Sequence, residues 1–189
     1  MTPCSPRLGQ LRRWLCLLLT AAAAHAATHV AVAHAAAPAD ATVDTAILFS
    51  TPLFNLDDQP ATLAPYRGQP LIINFWARWC GPCKVEIPEL VALGKRNKQV
   101  KVIGLNVESN AAAAKQFAYA YDMAYPVLLT RDGGLALMQA LGNPKMGLPF
   151  TITLDAQGKV VSSHLGVMTA EKLDAAARLA TANTPSPAR

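Results

Sequence analysis

The sequence predicts an α/β domain with a central mixed sheet and helices on both faces. Three observations predict it. Two near-continuous apolar runs, 71–76 and 100–107, each lead into a helical segment. The turn Asp155-Ala156-Gln157-Gly158 joins two late strands into a hairpin. A last helix follows that hairpin, with Thr169 as N-cap and Glu171-Lys172 in its first turn. Early strands alternating with helices, then a closing hairpin, place parallel and antiparallel neighbours in one sheet.

Residues 1–26 read as an export signal. Arg12 and Arg13 precede the apolar run 14–24, and Ala24-His25-Ala26 is an Ala-x-Ala cleavage site. The run is about eleven residues long, against roughly 20 for a membrane-spanning helix. An uncleaved anchor extended through the alanines to Ala37 is the alternative. Residues 27–45 are Ala-rich and aperiodic, a flexible spacer, and His25, His29 and His34 have no metal-site spacing. The folded domain is read as 46–182, ahead of a disordered tail at 183–189 containing Thr184-Pro185-Ser186-Pro187.

Within the domain, 47–56 and 61–63 read as short strands around the turn 57–60. Strand 71–76 feeds directly into a helix over 82–97, where Val85, Leu90, Leu93 and Gly94 fall near helical spacing. Lys95, Arg96 and Lys98 crowd its C-terminal end, where cations complement the helix dipole. Strand 100–107, helix 111–121 and an extended piece 126–129 follow. The turn Arg131-Asp132-Gly133-Gly134, a short helix 135–141, strands 151–154 and 160–165, and the final helix to about Thr181 complete the order.

The formal charge of +5 is concentrated at the front, because no acidic residue precedes Asp40. Without Arg7, Arg12 and Arg13 the 17 basic residues become 14 against 12 acidic ones, about +2. No basic run with interleaved aromatics remains, which argues against nucleic acid as a partner. Cys4 and Cys16 belong to the signal, so Cys80 and Cys83 are the pair left in the mature chain. A bridge across two residues closes almost no loop, so the pair serves chemistry rather than stapling. A structural zinc site needs four ligands, and the mature chain has no second Cys-x-x-Cys or His pair.

The position of the pair gives the two sulfurs different roles. Cys80 falls at a helix N-terminus, where free N–H groups and the dipole stabilise a thiolate and lower a thiol pKa from about 8.5 to roughly 3.5–7.5. It is the nucleophile. Cys83, one turn on, is placed to resolve the mixed disulfide. Pro82 suits the first turn because its missing N–H has no partner there in any case.

The segment Phe75-Trp76-Ala77-Arg78-Trp79-Cys80-Gly81-Pro82-Cys83-Lys84 resembles the active-site segment of thioredoxins. Glu86-x-Pro88, an added segment over 106–129 with Tyr125-Pro126-Val127, and Gly147-Leu148-Pro149 before a strand ending Leu154-Asp155 narrow the likeness to the exported TlpA/ResA/DsbE-like branch. The resemblance covers about 53–180. It implies a thioredoxin fold with an N-terminal β-hairpin and a central insertion. It also implies a redox-active Cys80–Cys83 disulfide as the sole redox group, with no further cofactor and no bound metal.

The same resemblance assigns further residues. Pro149 is the family's cis-proline, leaving the Leu148 backbone free to pair with an extended substrate segment. Trp79, Gly81 and Pro82 line the same substrate face, and Trp76 belongs to the core. Thioredoxins carry a buried Asp where this chain has Asn74, which cannot titrate. Glu86 takes over as a buried carboxyl that exchanges a proton with Cys83; an exposed helix-face glutamate is the alternative. Phe150 shapes the groove or packs in the core, and His164 is a hairpin residue. The methionines are core and loop residues rather than copper ligands.

The Gly81-Pro82 dipeptide matches reducing thioredoxins, near −270 mV against about −120 mV for oxidising DsbA. The implied activity is a periplasmic protein-disulfide reductase, acting as a monomer and recharged by a membrane electron donor of the DsbD/CcdA type. Its targets in this branch are apocytochrome c thiols or cysteines of copper-centre assembly proteins. A copper metallochaperone and a periplasmic oxidant are the alternatives.

Overall fold

A computed structural model describes residues 43–182 of the chain. The signal at 1–26, most of the spacer with its histidines, and the tail at 183–189 lie outside the described residues. The elements are helix α1 (Ala46–Ser50), strands β1 (Leu53–Phe54) and β2 (Pro60–Ala61), β3 (Leu71–Trp76), helix α2 (Gly81–Arg96) and β4 (Lys101–Asn106). Helix α3 (Ala111–Ala120), β5 (Val127–Leu129), α4 (Gly134–Ala140), β6 (Phe150–Leu154), β7 (Val160–Leu165) and α5 (Ala170–Thr181) follow.

One seven-stranded sheet runs in the order β2-β1-β5-β4-β3-β6-β7. The β3–β4 and β4–β5 pairs are parallel; β3–β6, β6–β7, β1–β5 and β1–β2 are antiparallel. The sheet is therefore mixed, as the element order predicts. All six residues of β3 are buried, because both faces of the central strand are covered. Ile72 and Trp76 pack with Ile87 and Leu90 of α2 and Leu173 and Ala177 of α5. Ile73 and Phe75 pack on the opposite face with Leu137 and Met138 of α4 and Leu48 of α1.

Two elements differ from expectation. The first strand, read over 47–56, is a helical turn followed by the two residues of β1. The Asp44 carboxylate accepts the Ala46 N–H at 2.9 Å and starts the helix, which buries Leu48 and Phe49. A short apolar run does not reveal whether it buries as strand or helix. Thr45, placed in the spacer by sequence, donates its hydroxyl to Gly158 O at 2.6 Å. On α2, Val85 was expected on the apolar face but is 65% exposed. The buried stripe is Cys83, Glu86, Ile87 and Leu90, a three-to-four residue spacing that leaves Val85 facing out.

The added segment becomes α3 and β5. Strand β5 lies between β4 and β1, so the N-terminal hairpin joins the sheet through the insertion. Phe117 of α3 stacks between Trp76 of β3 and Tyr121, with centroids 5.0 and 4.3 Å apart. The insertion therefore packs directly on the strand that ends at the cysteines.

Candidate active site

Strand β3 ends at Trp76, and Ala77-Arg78-Trp79 carries the chain to Cys80, the N-cap of α2. Cys80 and Cys83 are joined in a disulfide, with Cα atoms 5.3 Å apart. The Cys83 N–H donates to Cys80 Sγ at 3.1 Å, so a backbone amide at the helix start addresses the first sulfur. In this disulfide form Cys80 is 4% exposed and Cys83 fully buried. Trp79, at 70% exposure, projects beside the pair, and Gly81, Pro82 and Lys84 are exposed with it.

The Leu148–Pro149 peptide is cis, at the entry to β6. Pro149 O accepts the Gly166 N–H, and Gly147 is held by Asn143, whose side-chain amide donates to Gly147 O at 2.9 Å. Leu148 is half-buried, and its backbone N–H and C=O have no backbone partner among the described residues. Phe150 is buried and packs at 5.7 Å from Phe75, so its place is the core. Trp76 is likewise fully buried.

Beneath the disulfide lies a polar cluster inside an otherwise apolar layer. Glu86, one turn after Cys83, has no solvent exposure. Asn74 Nδ2 donates to Glu86 Oε2 at 2.9 Å, the Met168 N–H donates to Oε1 at 3.2 Å, and the Thr151 hydroxyl reaches Oε1 at 3.4 Å. Burial pushes the Glu86 carboxyl up to about 7, and these three donors pull against that rise without cancelling it. Each β3–β6 neighbour contributes one member, because Asn74 and Thr151 are register partners. Glu86 is the one described carboxyl whose affinity for protons is shifted into the neutral range.

Of the residues that the sequence points to, Glu86 and Asn74 meet through a hydrogen bond, and Leu148, beside Pro149, packs against the cluster that holds both cysteines. Sequence reasoning missed Thr151 and the Met168 amide. A legible signal existed: Asn74 and Thr151 are polar residues inside LIINFW and FTITL, where a buried polar group needs a partner. It also missed a second support. The Glu108 carboxylate accepts the Arg78 N–H at 2.7 Å and the Asn106 side-chain amide at 3.2 Å, and pairs with the Arg78 guanidinium at 3.1 Å. This latch ties the loop before Cys80 to the end of β4. Glu108→Ala is expected to cost about 1–3 kcal/mol, the loss of a charged acceptor from a largely covered site. Hydrogen exchange should speed up at Arg78 and Trp79 while the β3 amides stay protected; unchanged exchange in the loop would sink the latch.

Fold and redox pair together define a thiol-disulfide oxidoreductase. A family model described as Redoxin matches residues 34–179. The thioredoxin-like protein YneN of Bacillus subtilis is 31% identical over 126 residues, 65% of this chain and 71% of that protein. The thiol-disulfide oxidoreductase ResA of Bacillus cereus is 32% identical over 123 residues, 64% of this chain and 68% of that protein. A secreted disulfide oxidoreductase of Mycobacterium tuberculosis, homologous to E. coli DsbE, shares the fold with a TM-score of 0.60 at 22% identity, covering 71% of this chain and 97% of that one. The chain belongs to the redoxin family, in its TlpA/ResA/DsbE-like thioredoxin branch.

Proposed function

We propose that this oxidoreductase works as a reductase of disulfides in exported proteins. The observation that carries the reading is the buried Glu86 carboxyl one helical turn from Cys83. An anionic carboxylate there opposes a thiolate on Cys83, so the reduced pair lacks the thiolate stabilisation that would make it hold its electrons, and it gives them up readily. In the forward reaction the Cys80 thiolate attacks a substrate disulfide, forming Cys80–S–S–R and releasing the other substrate sulfur as a thiolate. Cys83 gives its proton to Glu86 and attacks Cys80 Sγ, which releases the second thiolate and closes the Cys80–Cys83 bond. Two electrons pass to the substrate. One product thiolate takes the proton from Glu86 and the other takes one from water.

Trp79, Gly81, Pro82 and the free Leu148 backbone form the docking face for an extended segment of the substrate in this reading. No other cofactor takes part. The signal-like residues 1–26 and the secreted M. tuberculosis relative support export to the periplasm, while no helix among the described residues is long and apolar enough to cross a membrane. A monomer recharged by a membrane dithiol donor of the DsbD/CcdA type completes the cycle. Cytochrome c maturation and copper-centre assembly supply the substrate classes.

The test is Cys83→Ala, which leaves Cys80 able to attack but unable to be resolved. Expressed in the exporting cell, it should accumulate mixed disulfides with exported cysteine proteins, and the native chain should titrate below about −150 mV in glutathione buffers. A higher potential, or no trapped partner, overturns the reductase reading.

A further inference from the structure

We infer that Asn74 is a positioning residue that follows the proton on Glu86, offering its amide nitrogen to the ionised carboxyl and, after the amide turns over, its carbonyl oxygen to the protonated one. This deepens the reading of Glu86 as the proton acceptor for Cys83 and rests on it.

The observation is an imbalance in the Asn74 hydrogen bonds. Both protons of its Nδ2 are used, one toward Glu86 Oε2 and one toward Thr151 Oγ1, each at 2.9 Å. Its Oδ1 is buried and has no hydrogen-bond partner among the described residues, in a side chain with no solvent exposure. An idle buried acceptor beside a doubly committed donor is unusual, because buried polar atoms are normally paired.

The arrangement suits one protonation state. Against an ionised Glu86, Asn74 Nδ2, the Thr151 hydroxyl and the Met168 N–H all donate. Once Cys83 has delivered its proton, Glu86 carries an O–H that needs an acceptor, while Asn74 Nδ2 and the Met168 N–H can only donate and the Thr151 hydroxyl already accepts from Asn74. The amide torsion is broadly two-fold, and oxygen and nitrogen exchange places in nearly the same shape. Turned over, Oδ1 accepts from the Glu86 O–H and from the Thr151 hydroxyl together, since a carbonyl oxygen has two lone pairs. An ionised aspartate at this position could accept but not donate to the ionised Glu86.

Among the groups around Glu86, Asn74 holds the wholly unused acceptor. From β3, β6 and the segment before α5, the groups facing Glu86 are Asn74, Thr151 and the Met168 amide, all without charge. On its own helix the titratable neighbour is Cys83. From the segment before β5, the Tyr125 phenol feels Glu86, and burial holds its proton far above the ordinary tyrosine range. Across β3–β4, the register partner of Asn74 is Gly104, which is bordered by Trp76 Nε1 and the Tyr125 ring. The Trp76 indole N–H and the Tyr125 hydroxyl are themselves without partners among the described residues.

The experiment is side-chain amide NMR on the reduced, 15N-labelled native chain, with Asn74 assigned by the signals lost in Asn74→Asp. Above the Glu86 midpoint the Nδ2 protons should show NOEs to Thr151. Below it those NOEs should fall at least several-fold, with the midpoint shared by the Glu86 carboxyl carbon. In Glu86→Gln the pH dependence of the Asn74 signals should vanish. Thr151 NOEs that persist unchanged while Glu86 titrates overturn the inference, as does an Asn74 transition that survives in Glu86→Gln. The separate reading of Glu86 as proton acceptor is judged by the Cys83 alkylation profile: if Glu86→Gln leaves it unmoved, that reading fails whether or not the amide turns.

Discussion

Cys80→Ser is expected to reduce no disulfide substrate, with turnover falling to the uncatalysed background. The attacking sulfur is the one that Cys83 N–H addresses at the helix N-terminus, and a serine hydroxyl in its place stays protonated at neutral pH. The fold should survive. Only the short loop closed by the disulfide is lost, an entropic constraint of about 2 kcal/mol on the unfolded chain. The variant should therefore melt close to the reduced native chain and below the oxidised one. Insulin reduction and thermal unfolding in parallel check both parts. Residual turnover would place the nucleophile elsewhere, and melting well below the reduced form would mean that the loss reflects misfolding.

Glu86→Gln carries the second large effect, and it acts on rate and stability in opposite directions. The resolving step loses its proton acceptor and should slow by about 10²-fold or more. Its dependence on pH around 7 should disappear. Stability behaves differently, because the folded carboxyl is raised from 4.5 to about 7 and the folded state therefore holds a proton that the unfolded state releases between those values. The stabilising share of Glu86 is complete below pH 4.5 and is lost as pH rises through 7. The gap amounts to on the order of 3 kcal/mol, an upper figure, since a glutamine amide would face the Asn74 and Met168 donors. The glutamine variant should gain on the native chain between pH 5 and 8 in urea titrations. A difference between native chain and variant that stays flat across that window would show that Glu86 is already ionised in the folded state at pH 5.

Much of this site was legible because its chemistry sits in contiguous residues. The Cys80-Gly81-Pro82-Cys83 run lies at a strand–helix junction that the apolar run 71–76 announces, and the helix start follows from it. Glu86 was placed beside the cysteines by the resemblance to the ResA-like branch. Thr151, the Met168 amide and Glu108 were not legible, since each acts across the fold: Thr151 from β6, 77 residues from its partner Asn74, and Met168 from 82 residues beyond Glu86. Glu108 reads on sequence as a loop acid; only the parallel β3–β4 register brings it to Arg78. The N-terminal helical turn was misread because five apolar-rich residues satisfy both periodicities, and Val85 because a buried glutamate displaced the expected stripe.

The insertion has a consequence for how copies of this chain meet one another. With β5 seated between β4 and β1, the outer limits of the sheet are β2 and β7. The first is two residues long and begins with Pro60, which has no N–H to offer a neighbouring chain. The second carries Ser162, Ser163 and His164 and pairs with β6 through a register shift at Thr153/Leu154, which disturbs the regular ladder. The β2 limit therefore offers little backbone to a neighbouring strand, whereas β7 presents a six-residue edge broken by that one shift. The β2 limit is thereby a poor template for cross-chain β-structure, which leaves β7 as the edge where another chain could add a strand.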